Sequence, residues 1–154
     1  LGDDIRKTTD GGASWSKVAD MPKVIAEFEK NDKEDDLSVV VSMSFADEKK
    51  GYMVGSKGFL IVTNDGGKTW ERKNSGTAND LWGVKALDEN HAWTVGSNGV
   101  VLETTDGGSN WNKVDLGLED TMYSGLYESN LFIDKKRRTV WIIKDGNIYK
   151  KTVS

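Results

Sequence analysis

Residues 63–70 read Thr63-Asn64-Asp65-Gly66-Gly67-Lys68-Thr69-Trp70. An aspartate directly before two glycines can fold its carboxylate back onto the N–H groups of a tight turn. The glycines admit positive φ without steric cost. The closing tryptophan is large and flat, and is expected to lie across the turn and pack against the next unit of structure. The same pattern occurs as Thr8-Thr9-Asp10-Gly11-Gly12-Ala13-Ser14-Trp15 and as Thr104-Thr105-Asp106-Gly107-Gly108-Ser109-Asn110-Trp111.

Upstream of the second and third copies the likeness continues at one offset, 41 positions. Asp47-Glu48 matches Asp88-Glu89, Gly51-Tyr52-Met53-Val54-Gly55 matches Ala92-Trp93-Thr94-Val95-Gly96, and Gly58-Phe59-Leu60 matches Gly99-Val100-Val101. Self-similarity at a fixed period marks a repeat architecture. The first copy lies 55 positions before the second, so its unit holds 14 extra residues within Ala19 to Leu37. There Pro22 could open a short helix ahead of the charged run Glu29 to Asp36. A degenerate fourth unit places Lys144-Asp145-Gly146 opposite Ser97-Asn98-Gly99 and has Val153 where the aspartate stands in the others.

Within one unit Leu81 to Leu87 reads as a first strand and His91 to Ser97 as a second. Asn98-Gly99 makes a tight hairpin turn, Val100 to Thr105 is a third strand, and Trp111 to Asp115 is a fourth beyond the Asp-Gly-Gly turn. Four short antiparallel strands in a unit of this length is the pattern of a propeller blade. Turns of two residues exclude the crossovers that a parallel solenoid needs. The fold class is all-β, a β-propeller with about three blades present. The blade units run roughly over 1–18, 38–74, 80–116 and 129–154, with an insertion at 19–37.

Composition agrees. The chain has 154 residues with 36% hydrophobic and 30% charged, inside the globular range. It has 17 Gly against 1 Pro, and 6 Trp. No run approaches the roughly 18 consecutive apolar residues of a membrane-spanning helix. A net charge of −4 argues against a general nucleic-acid binder. With 0 Cys there is neither a disulfide framework nor a thiolate metal site.

The pattern Ser/Thr-x-Asp-x-Gly-x-Ser/Thr-Trp resembles the Asp-box, or BNR repeat, of sialidases, sortilin-type receptors, xyloglucan-cleaving glycosidases and photosystem II stability/assembly-factor-like proteins. The first two copies match fully; the third has Asn110 where Ser or Thr is usual. The run Gly51 to Gly58 and its partner Ala92 to Gly99 are most similar to the assembly-factor-like group, where a Gly-Trp-x-Val-Gly-x-x-Gly run precedes each box. The resemblance is specific for fold and much less so for function. It implies a protein partner and an extracytoplasmic setting (periplasmic, secreted or cell-surface).

The box residues Thr8, Asp10, Gly12, Trp15, Thr63, Asp65, Gly67, Trp70, Thr104, Asp106, Gly108 and Trp111 are read as structural. One aspartate per turn supplies too few oxygens for a calcium site, so no metal and no cofactor is expected. A sialidase-like site needs converging arginines, and the chain has only Arg6, Arg72, Arg137 and Arg138. His91, the only histidine, aligns with Lys50 and is expected as an exposed strand-edge residue. Trp82 and Trp93 are expected to pack within blades, an aromatic platform for a peptide or sugar ring being the alternative.

Lys135, Lys136, Arg137 and Arg138 form the one basic cluster, in a turn between Phe132-Ile133 and Val140-Trp141. Its functional reading is a docking patch for an acidic partner. The chain is thus expected to be a non-catalytic protein-binding or assembly scaffold. The alternatives are a fragment of a carbohydrate-active enzyme or a carbohydrate-binding cell-surface module. A little over three blades is fewer than the four to eight of closed propellers. The expectation is a segment of a longer propeller; the other readings are ring completion by a second copy, opposed by surplus strands, and an open arc that stands alone.

Overall fold

The computed structural model describes residues 4–21, 24, 40–116, 125–127 and 130–154. The short helix expected at Pro22 lies outside them. The strands are β1 (Asp4–Lys7), β2 (Ser16–Asp20), β3 (Val40–Phe45), β4 (Gly51–Gly55), β5 (Leu60–Thr63), β6 (Glu71–Arg72), β7 (Leu81–Ala86), β8 (Ala92–Gly96), β9 (Val101–Thr104), β10 (Asn112–Lys113), β11 (Leu131–Asp134), β12 (Thr139–Lys144) and β13 (Asn147–Thr152). They form four antiparallel sheets in chain order: β1-β2, then β3-β4-β5-β6, then β7-β8-β9-β10, then β11-β12-β13. The fold is that of successive propeller blades. β2 runs on to Asp20, two residues into the segment read as an insertion.

The sheets stack face against face, which explains why the second strands carry no polar alternation. Every residue of β4 (Gly-Tyr-Met-Val-Gly) and of β8 (Ala-Trp-Thr-Val-Gly) is buried, because both faces meet a neighbouring sheet. Tyr52 and Val54 point into a core shared with Leu81, Val84, Ala92 and Leu102 of the third sheet. Met53, between them, points the other way, into the core shared with Ile5 of the first sheet. A third core joins Trp93, Val95 and Val101 to Leu131, Val140 and Ile142 of the fourth sheet.

The innermost strands are stitched together by serine hydroxyls. Ser42 Oγ accepts from the Val84 N–H at 3.3 Å and Ser44 Oγ from the Ala86 N–H at 3.0 Å. The register of β3 shifts between Val40 and Ser42, and that of β7 between Leu81 and Gly83. The repeat thus extends to an irregularity at the same place in both sheets. The turn expected as a two-residue hairpin at Asn98-Gly99 is a 3-10 turn over Ser97–Gly99, with Asn98 at φ 53. Gly96 before it allows close approach: a Cβ there would lie 1.9 Å from the Asp80 carbonyl oxygen.

Candidate functional site

The three boxes repeat one hydrogen-bond pattern. Asp65 Oδ1 accepts from the Thr69 N–H at 2.9 Å and the Thr63 hydroxyl at 2.8 Å, while Oδ2 accepts from the Thr69 hydroxyl at 2.5 Å. Thr63 Oγ1 in turn accepts from the Gly67 N–H at 2.9 Å. Asp10 repeats this with Ser14 and Thr8, and Gly12 N–H with Thr8. In the third box Asn110 stands in for the hydroxyl residue, its N–H at 2.9 Å and its side-chain amide at 2.7 Å from Asp106, with Thr104 bonding both Asp106 and Gly108.

These donors stabilise the ionised carboxylates. The Thr69 hydroxyl and N–H bring Asp65 down to about 2, and the Asn110 N–H and amide do the same for Asp106. The Ser14 hydroxyl and N–H lower Asp10 likewise. The box oxygens are thereby committed to the turn. Among the described residues no group of three or more His, Cys, Asp or Glu side chains is placed to hold a metal ion.

The tryptophans correct one expectation. Trp70 and Trp111 pack against the preceding sheet, not the next one, whereas Trp15 is exposed. Trp111, of the third sheet, meets Tyr52 of the second edge-on, with centroids 5.8 Å apart and an interplanar angle of 88°. Trp70 packs into the core shared with the first sheet. The chain runs outward through each sheet, so the last turn of a sheet curls back over the one before. Trp15 and Trp70 donate their indole N–H to the Gly12 and Gly67 carbonyls. Trp111 Nε1 is buried without a partner.

The basic turn divides by role. Lys135, Lys136 and Arg137 are exposed, and Arg138 is half-buried. Lys135 Nζ reaches the Ala46 carbonyl of the second sheet at 3.3 Å, and Arg137 pairs with Asp134 at 2.7 Å. Arg138 is a structural tie: its Nη1 lies 2.8 Å from Asp88 Oδ2 in the third sheet, and its Nε donates to the Val153 carbonyl at 3.3 Å. Burial pushes the Asp88 carboxyl up, but bonds from the His91 ring, the Asn90 and His91 N–H groups and Arg138 outweigh it and hold it at about 2.

His91 differs from the exposed residue expected. It is half-buried, with Nδ1 2.8 Å from Asp88 Oδ1, because the first turn of each sheet folds under the box turn. Trp93 is fully buried and donates to Glu103 at 3.1 Å. Trp82 is half-buried and stacks on exposed Tyr127, with centroids 4.7 Å apart. Gly125 is what allows this, since a Cβ there would fall 2.1 Å from the Trp82 ring. The four arginines do not converge: Arg6 pairs with Asp4, Arg72 lies over the Phe59 ring, and Arg137 and Arg138 are engaged as above.

Face-packed four-stranded sheets, each clasped by an aspartate turn with a tryptophan folded back onto its predecessor, define an Asp-box β-propeller protein. The model of the family described as photosynthesis system II assembly factor YCF48 matches residues 26–152, and the chain belongs to that family. A solved structure described as YCF48 bound to D1 peptide is similar at 26% identity and a TM-score of 0.58, over 75% of this chain and 37% of that one. YCF48 from Cyanidioschyzon merolae is similar in fold at 16% identity and a TM-score of 0.66, over 97% of this chain and 44% of that one. The chain therefore spans less than half the length of either structure. A comparison with curated proteins finds no match.

Proposed function

We propose that the chain is a non-catalytic, protein-binding scaffold that holds an extended peptide of another protein during assembly of a larger complex. One observation carries this reading: a family member similar over 75% of the chain is described as bound to D1 peptide. The resemblance also supports an extracytoplasmic setting. Within this chain the docking surface is the exposed part of the basic turn, Lys135, Lys136 and Arg137. Positive charge there steers an acidic segment toward the end of the molecule that carries the box turns.

The probe is a synthetic D1 peptide, with binding to the immobilised chain followed by biolayer interferometry. Reversing three charges together (Lys135→Glu, Lys136→Glu, Arg137→Glu) is expected to weaken binding by roughly tenfold or more at low salt, with the difference shrinking at about 0.5 M salt. Arg138 is left unchanged because it holds two sheets together. Failure of the native chain to bind would overturn the partner. Unchanged binding by the variant would overturn the surface.

A further inference from the structure

The second and third sheets share a frame but differ in charge at one place, the 3-10 turn and the segment that follows the outer strand. The backbone there repeats bond for bond. Lys73 N–H donates to the Leu60 carbonyl at 3.0 Å, and Val114 N–H to the Val101 carbonyl at 2.9 Å. Gly55 N–H donates to the Phe59 carbonyl at 3.0 Å, and Gly96 N–H to the Val100 carbonyl at 3.1 Å. On this frame the second sheet carries Lys57, Arg72 and Lys73, where the third has Asn98, Lys113 and Val114. Asn74 in turn stands where the third sheet has Asp115. Three positive charges thus face one positive and one negative. A requirement of folding would act on both sheets alike, so the difference points to something outside the fold.

Lys57 is the clearest departure. It lies at φ 53 and ψ 37, in the left-handed region that asparagine and aspartate enter most readily. The same turn of the third sheet places Asn98 at φ 53, and that of the fourth places Asp145 at φ 52. A lysine there accepts strain that its counterparts lessen, and strain of this kind collects at binding sites. The turn is also held rigidly. Lys57 N–H donates to Asp80 Oδ1 at 2.9 Å, and the buried Ser75 hydroxyl donates to the Gly58 carbonyl at 2.9 Å. Gly58 permits this approach, since a Cβ there would lie 2.0 Å from the Thr77 carbonyl oxygen.

Lys57, Arg72 and Lys73 line one cavity of about 300 Å³, together with Asn74 and Thr77 and with no carboxylate. Arg72 stands over the Phe59 ring at 4.5 Å, and a stacked guanidinium keeps its donors in the plane of the fork. Asn74 Oδ1 accepts from the Gly76 N–H at 2.9 Å, which leaves the amide N–H2 as a donor. Glu71, whose counterpart is Asn112, pairs with Lys73 at 2.5 Å but is 66% exposed. A pair so open to solvent yields at little cost. We propose that this cavity binds a phosphate group. Three cations with neutral donors among them match a doubly charged tetrahedral oxyanion better than a single carboxylate. The site is separate from the basic turn at residues 135–137 and does not depend on the peptide docked there.

The test is titration of the full chain with inorganic phosphate at neutral pH and fixed ionic strength, followed by amide NMR shifts. The amides of Lys57, Gly58, Lys73 and Asn74 should shift and saturate with a Kd on the order of 1 mM. Asn98 and Val114 serve as the control within the same spectrum and should not shift. Acetate should bind at least about tenfold more weakly. Lys57→Asn with Lys73→Val gives the second sheet residues that the third already carries, so the fold is kept. This double variant should weaken phosphate binding by roughly tenfold or more with no fall in Tm. No saturation by about 50 mM phosphate, equal shifts in both sheets, acetate bound as tightly, or unchanged affinity in the variant would each overturn the proposal. Vesicles of phosphatidylcholine with about one-third phosphatidylglycerol then distinguish the sources. Sedimentation with them that the double variant loses assigns a lipid headgroup, and none by the native chain assigns a soluble phosphate.

Discussion

Asp65 shows what a single carboxylate does here. Its two oxygens take three hydrogen bonds from Thr63 and Thr69 and so close the turn on both sides. Asp65→Ala leaves those donors to solvent and is expected to cost about 1–2 kcal/mol, read as a fall of roughly 3–6 °C in Tm. Asp65→Asn keeps an acceptor and should cost less. The same groups set the acid limit of stability. The carboxyls of Asp65 and Asp106 are held at about 2, below their ordinary 3.8. Stabilisation from a lowered carboxyl is complete above its unfolded value and is lost as pH falls through its folded value. Tm should therefore be nearly level down to about pH 5 and drop between about 4 and 2. The drop should be shallower in an Asp65→Asn, Asp106→Asn double variant.

Between elements, the decisive contact is the box turn on the preceding sheet, and glycine variants separate docking from turn strain. Gly12 at φ 97 and Gly108 at φ 84 are both left-handed, so alanine strains either turn by about 1 kcal/mol. Only at Gly108 would the new methyl also strike Tyr52 and Val62. Gly108→Ala is expected to lower Tm by several degrees more than Gly12→Ala, and to loosen the Tyr52–Trp111 contact as read by tryptophan fluorescence. Equal effects would mean that the turn, and not its docking, sets the stability. The turns and strand pairing were legible in the chain because Asp-Gly-Gly and the apolar runs act locally. The direction of the tryptophans was not, since the box has the same local chemistry whichever sheet it faces. Arg138 shows the same limit. Read along the chain it is one of four like charges, whereas its partner Asp88 lies 50 residues away on another sheet.

At the scale of the molecule, four sheets packed in series behave as a linear array whose stability is a sum of units and interfaces. The second and third sheets are covered on both faces, with β4 and β8 wholly buried. Among the described residues the first sheet consists of β1 and β2, whose residues are mostly exposed or half-buried. The fourth has three strands, with β13 an outer edge exposed along most of its length. Local opening follows such differences in burial. Native-state hydrogen exchange should therefore be slowest at the amides of β4, β5, β8 and β9, faster in β12, and fastest in β1 and β2. Exchange that is uniform over all four sheets would instead mean that they open as one cooperative unit, and that the end sheets owe their stability to the central ones.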